Sequence, residues 1–191
     1  MYRPGGDCGA LRVRGGLREY CWFYENLLMR SRAVGSTSSV SLPRSEIDSG
    51  LDLLVVGWQE RVALPEFSLE GVACKLDSGA AISSLHVQSL RYFRRSGWDW
   101  VRFEIGTEFG LLDSPLICES RLFGMKRIQS SSGHLTIRPV VETMLSLGGF
   151  HWPVELTLTC RKQMQFPLLV GRNAIEGRCL IDCGRTFLAS R

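Results

Sequence analysis

From Leu51 onward, apolar and polar positions alternate in short runs broken by Gly, Pro and Ser, the pattern of β-strands joined by turns. The clearest run is Val154 to Cys160, where Val154, Leu156, Leu158 and Cys160 alternate with Glu155, Thr157 and Thr159. A period of two sends successive side chains to opposite faces, so this strand buries one face of a sheet. Upstream, Val141, Thr143, Leu145 and Leu147 repeat the pattern before Gly148-Gly149. Glycine tolerates the positive φ of a tight turn, so the two runs predict a hairpin. Further strands are expected at Leu53 to Val56, Arg61 to Leu64, Val72 to Leu76, Trp100 to Ile105, Leu135 to Val140, Pro167 to Val170 and Cys179 to Ile181. Helical signals are confined to a turn or two at Tyr20 to Leu28 and a short helix at Asn173 to Glu176. Many short strands with regular turn signals predict an all-β domain, closed or sandwiched.

Residues 1–50 differ in texture, with Arg-Gly pairs and a Gly-Ser-Thr-Ser-Ser run from Gly35 to Ser39, and read as a flexible extension ahead of a domain at 51–191. The 191 residues suffice for one domain with a real core. No apolar run approaches the roughly 20 residues that span a bilayer, so no membrane partner is expected. The amino terminus has no apolar h-region, so a cytoplasmic location is the expectation. Seven cysteines, an odd number without a C-x-x-C pair, argue against a disulfide framework or a zinc ribbon. The net charge of +4 comes from scattered basic residues, and no nucleic-acid partner is expected.

Candidate chemistry begins where Val72 to Leu76 runs into Asp77-Ser78-Gly79-Ala80, which puts a carboxylate at a strand end followed by small residues. Alone, Asp-Ser-Gly is also an ordinary turn sequence. About ninety residues later, Phe166 to Val170 forms an apolar run that ends in Gly171-Arg172-Asn173 and enters the short helix. The pair, in this order, resembles the retropepsin-like aspartic proteases, in which a hydrophobic strand into Asp-Thr/Ser-Gly-Ala supplies the catalytic loop and a run ending in Gly-Arg-Asn packs beneath it. The resemblance extends to a bacterial subgroup described as ATP-dependent zinc proteases and associated with a glutamate ligase that modifies a ribosomal protein. It is carried by Val56-Gly57-Trp58-Gln59-Glu60, Leu64-Pro65, Lys75 to His86, Trp100-Val101-Arg102-Phe103, Ser131 to His134, Arg138 to Val141, Trp152 to Leu156 and Leu169 to Asn173. The subgroup usually has Thr where this chain has Ser78, which keeps the hydroxyl, and Leu135-Thr136-Ile137 intervene before Arg138, which bears on substrate preference.

The resemblance implies a closed β-barrel with a short helix near the C-terminus, and a peptidase with Asp77, Ser78 and Gly79 as catalytic residues. Ala80, Ser131, Ser132, Gly133 and His134 would contact substrate, while Gly171, Arg172 and Asn173 would brace the loop. Only one Asp-Ser-Gly occurs, and the chemistry needs two carboxylates sharing a proton, so a homodimer is expected to supply the second Asp77. Ser130 to His134 is the candidate flap, with an ordinary exposed hairpin loop as the alternative. The implied partners are a peptide or protein substrate, with a glutamate-tailed one as candidate, and a glutamate ligase. No cofactor or metal is expected. No G-x-x-x-x-G-K-[ST] loop is present, so any ATP dependence would come from a partner.

Two rival readings stand beside this one. A zinc hydrolase could draw on His86, His134, Asp77 and the cysteines, although no H-E-x-x-H or paired-His spacing occurs. A retropepsin-like scaffold could also serve only for binding. Cys179 and Cys183 are expected to pack as small apolar groups, and Trp58 and Trp152 to serve packing.

Overall fold

The alternating runs on either side of Gly148-Gly149 form the expected hairpin, with Val141 opposite Leu156 and Leu147 opposite Phe150. Both glycines adopt positive φ, +60° and +84°, the region that admits glycine without a Cβ clash. The computed structural model describes residues 53–129, 133 and 135–190, with the backbone of residues 12 and 13. The rest of the expected extension at 1–50, including the Tyr20 to Leu28 helical signal, lies outside the described residues.

In chain order the strands are β1 (Arg12–Val13), β2 (Leu54–Gly57), β3 (Gln59–Leu64), β4 (Leu69–Asp77), β5 (Ser83–His86), β6 (Ser89–Arg95) and β7 (Trp98–Ile105). They continue as β8 (Leu116–Arg121), β9 (Gly124–Gln129), β10 (Leu135–Leu147), β11 (Phe150–Thr159), β12 (Leu168–Gly171) and β13 (Cys179–Asp182). One short α-helix, α1 (Arg172–Ile175), follows β12 directly, and a 3-10 turn covers Pro65–Phe67.

Six strands close into a barrel in the order β10, β11, β5, β12, β4, β3, with β3 returning to β10 at Ala63 opposite Ser146. Closure leaves those six strands without a free edge. The barrel is packed rather than hollow, with Val62, Leu64, Val72, Leu145, Leu156 and Leu168 each nearly or fully buried. The runs at 135–140 and 141–147 are a single strand of 13 residues. Its first half pairs with β9 and its second with β11, so the β9–β10 hairpin extends from the barrel wall.

A second sheet, in the order β1-β6-β7-β8, packs its inner face of Leu90, Val101, Phe103 and Cys118 toward the same core. Phe67 meets Phe103 edge to face at 5.1 Å, joining the two sheets. The expected helix begins one residue early, at Arg172, and is tied to the barrel by Trp152 Nε1, which donates to the Ala174 carbonyl at 3.0 Å.

β13 runs parallel to β2, and the segment after it is held by a buried carboxylate. Glu60 is fully buried; its Oε1 accepts from the Gly57, Leu188 and Ala189 amides, and its Oε2 from the Ser190 amide and hydroxyl. Burial pushes its pKa up, but the Ser190 hydroxyl and these amides outweigh it and hold the carboxyl below its ordinary value. Leu54 and Ala189 both rest against Gly148, where an added Cβ would come within 3.2 Å of each.

Candidate active site at the end of β4

Strand β4 alternates buried Val72, Cys74 and Leu76 with Ala73, Lys75 and Asp77 on the other face, so the period of two places Lys75 and Asp77 side by side. Lys75 Nζ lies 3.2 Å from Asp77 Oδ2. The chain then turns sharply: the Gly79 amide donates to Asp77 Oδ1 at 3.0 Å and the Ala80 amide to the Asp77 carbonyl at 3.2 Å. Asp77 is partly exposed, and Ser78 and Gly79 form an exposed tip.

The two motifs that lie about ninety residues apart in sequence are adjacent in space. β12 runs parallel to β4 with Gly171 opposite Asp77. Arg172 donates from Nη1 to the Ser78 carbonyl at 2.9 Å and from its amide to the Ala80 carbonyl at 2.7 Å, while the Asn173 amide donates to the Ala81 carbonyl at 3.1 Å. Gly171 is required by space rather than by φ: a Cβ there would sit 2.5 Å from the carbonyl carbon of Ile82 and 2.9 Å from the Ser83 nitrogen. Its amide donates to Ser83 Oγ at 3.0 Å. Beneath, Thr157 Oγ1 donates to the Ser83 carbonyl at 3.0 Å, which leaves Ser84 Oγ to donate to Thr157 Oγ1 at 2.7 Å. A buried hydroxyl network therefore supports the loop.

Sequence reasoning passed over Ser83 and Lys75, although the strand period already put Lys75 on the face of Asp77. It also passed over Arg161. Burial lowers the Arg161 pKa and the nearby Arg138 charge lowers it further, while the Asp77 carboxylate raises it, so Arg161 lies within electrostatic reach of both. Burial likewise lowers Arg138. Of the expected flap, Ser131, Ser132 and His134 lie outside the described residues, and Gly133 has φ +84°. The strands that flank this segment pair from Leu135 opposite Gln129 to Val140 opposite Gly124, with Leu135 and Ile137 exposed.

His86, the residue most open to a metal reading, is buried, and its Nδ1 accepts from the Arg161 amide at 2.8 Å. Its Nε2 faces Glu108 Oε1 at 3.5 Å, too long for a full hydrogen bond. Among the described residues no three His, Cys, Asp or Glu side chains converge in a way that could hold a metal ion. Cys179 is half-buried against the core, but Cys183 is exposed, contrary to the packing role expected for it, because it follows the end of β13. Trp152 packs as expected, and Trp58 is half-buried with its ring edge-on to Phe166 at 6.2 Å.

A closed barrel that carries one Asp-Ser-Gly loop braced by Gly-Arg-Asn defines a retropepsin-like domain. The profile of the RimB-like family, described as "Retropepsin-like aspartic endopeptidase RimB", matches residues 55–191, and the chain belongs to that family. It is 36% identical over 133 residues to a probable alpha-L-glutamate ligase of Shewanella halifaxensis (strain HAW-EB4), covering 70% of this chain and 29% of that protein. A probable alpha-L-glutamate ligase of Parasynechococcus marenigrum (strain WH8102) is 36% identical over 129 residues, covering 68% and 28%. The chain thus spans less than a third of the length of these relatives. Among solved structures it is similar to a protein of unknown function from Legionella pneumophila subsp. pneumophila str. Philadelphia 1. The TM-score is 0.61 at 28% identity, covering 71% of this chain and 98% of that one.

Proposed function

We propose that this protein is an aspartic endopeptidase that acts as a symmetric pair, with Asp77 of each copy facing the other across a water. The observation that carries the reading is the placement of Asp77: at a barrel strand end, its Oδ1 held by the Gly79 amide, its loop braced by Arg172, and its Ser78–Gly79 tip exposed for a second copy. Two carboxylates about 3 Å apart share one proton, so one takes a proton from the attacking water while the other donates to the carbonyl oxygen. The amide nitrogen leaves with a proton from the same pair. Activity then depends on the singly protonated pair, whose two steps belong to the dyad rather than to either residue.

The substrate is a polypeptide, with a glutamate-extended one as the specific candidate, and the working location is the cytoplasm. Two observations support that class. The relatives are named as probable glutamate ligases, whose chemistry yields added glutamates, and Asp77 is paired with Lys75 and lies within electrostatic reach of Arg161. A ligase of that kind is the partner this reading implies. No described helix is long and apolar enough to cross a membrane.

The Lys75–Asp77 ion pair favours a second reading, in which the carboxylate is occupied and the domain only binds. Purified protein incubated with glutamate-tailed and diverse unmodified peptides from about pH 4 to 8, with and without a chelator, separates the readings by mass spectrometry. Chelator-resistant cleavage that disappears in Asp77→Asn, together with a dimer by sedimentation, is the expected result. No cleavage at any pH by a protein that still binds the peptides sinks the peptidase reading. Cleavage lost to the chelator moves the chemistry to a metal.

A further inference from the structure

The second sheet has an outer face that the barrel does not cover. Register places its side chains in cross-strand rows: Phe93, Trp100 and Arg121 in one, Arg91, Arg102 and Glu119 in the next, and Arg95 beside Trp98 at the end. Arginines that look scattered in the sequence are thus gathered by the pairing of β6, β7 and β8, and they interleave with three aromatic rings. Four guanidiniums face one carboxylate within these rows; a second, Glu104, sits at the far end and accepts from Ser89 Oγ.

The guanidiniums lie on the rings. Arg121 stacks over Trp98 with 3.9 Å to the ring centroid, and Arg95 lies 4.8 Å over Trp100 and 5.1 Å over Phe93. Glu119 pairs with both Arg95 and Arg102, at 2.6 and 2.5 Å. That pairing neutralises part of the charge and fixes the planes. Arg91 is exposed and has no ion-pair partner among the described residues, and Trp98 is 57% exposed. Trp100 Nε1 is buried and has no acceptor among the described residues. Structural cross-strand pairs alone account for Arg95 and Arg102. They leave an exposed Trp98 beneath a guanidinium, an unpaired Arg91 and an unfilled indole donor without a use.

We propose that this face binds single-stranded RNA, with bases stacking on Trp98 and on the guanidinium planes and phosphates meeting Arg91 and Arg121. Flat rings and guanidinium planes on adjacent strands of a sheet match the π-faces of unpaired bases, and the excess positive charge matches the backbone. An acidic polypeptide would satisfy the charge but not the rings. Glu119, an acceptor only, repels phosphate but accepts from a ribose 2′-hydroxyl, which favours RNA over DNA. The inference departs from the expectation of no nucleic-acid partner, and it does not depend on the peptidase reading.

The test is fluorescence anisotropy of the full chain against a labelled 12-nucleotide RNA, the DNA of the same sequence and poly-glutamate as competitor, over roughly 50 to 300 mM salt. RNA should bind several-fold more tightly than DNA and resist displacement by poly-glutamate at equal charge. Trp98→Ala should weaken binding about tenfold at unchanged salt slope, since stacking is lost but no phosphate contact. Arg91→Gln, at an exposed unpaired site that should not disturb folding, should reduce the log–log salt slope by about 0.7, the contribution of one phosphate contact on a single strand. Absence of binding, variants that bind like the parent, DNA binding as tightly as RNA, or displacement by poly-glutamate at equal charge would each overturn the proposal.

Discussion

Arg172 donates from Nη1 to the carbonyl oxygen of Ser78 across 2.9 Å, so the first residue of α1 holds the loop that presents Asp77. A charged donor to a carbonyl is worth about 2 kcal/mol. Arg172→Ala should therefore lower the melting temperature by several degrees and reduce peptide cleavage more than binding, because the loop loses its aim. Arg172→Lys should recover part of the stability and little of the cleavage, since an ammonium lacks the planar fork. A melting temperature unchanged in Arg172→Ala would remove the brace from the account.

Gly171→Ala should be worse for folding than Gly79→Ala. The first would push Cβ to 2.5 Å from a backbone carbonyl carbon, where only a main-chain shift can help, and should cost roughly 2 to 4 kcal/mol by denaturant unfolding. The second meets only the Asp77 carboxylate at 3.2 Å, so stability should fall little while cleavage suffers. Equal stability loss in the two would contradict this assignment.

Glu60 makes stability depend on acid. Its folded pKa is held below the unfolded one, so its contribution is present above the unfolded value and is lost as pH falls through the folded one. Glu60→Gln should cost about 3 kcal/mol at pH 7, because a neutral amide in that site cannot satisfy five donors. It should also flatten the fall in stability below pH 5. Melting curves of parent and variant from pH 3 to 8 test both statements.

His86 adds a second, higher step. Burial pulls its pKa below 6.5 despite the opposing Glu108 carboxylate, with Arg161 and Lys162 adding to the depression. The fold therefore favours the neutral ring that accepts from the Arg161 amide, and stability should drop as pH falls below about 6.5 toward the folded value. Glu108→Gln removes the opposing charge, so the drop should widen toward lower pH. An unchanged profile in that variant would show that His86 does not set the step.

Much of the barrel was legible because its strands alternate apolar with polar residues, as Val154 to Cys160 does, even where the polar side is itself buried, as at Thr157. β5 was not: Ser83 to His86 is buried on both faces, so it carries no alternation, and its serines look like loop. β6 was hidden for a different reason, since Arg91, Phe93 and Arg95 alternate as they should but are arginine-rich on the open face. The Asp77 loop and its Gly171-Arg172 brace could be paired only through a family resemblance; their adjacency is a parallel β4–β12 contact that no local pattern encodes. Lys75 was within reach of simple counting, two residues from Asp77. Arg161 and Ser83 were not, because their roles depend on strands that meet only after the barrel closes.

Leu54 and Ala189 rest on the same glycine, and the ladder between β2 and β13 runs parallel. The continuous described segment therefore begins and ends against one corner of the barrel. A unit built that way can be carried as a cassette by a longer chain, as the much longer relatives carry their matching segment, because neither junction has to cross the barrel.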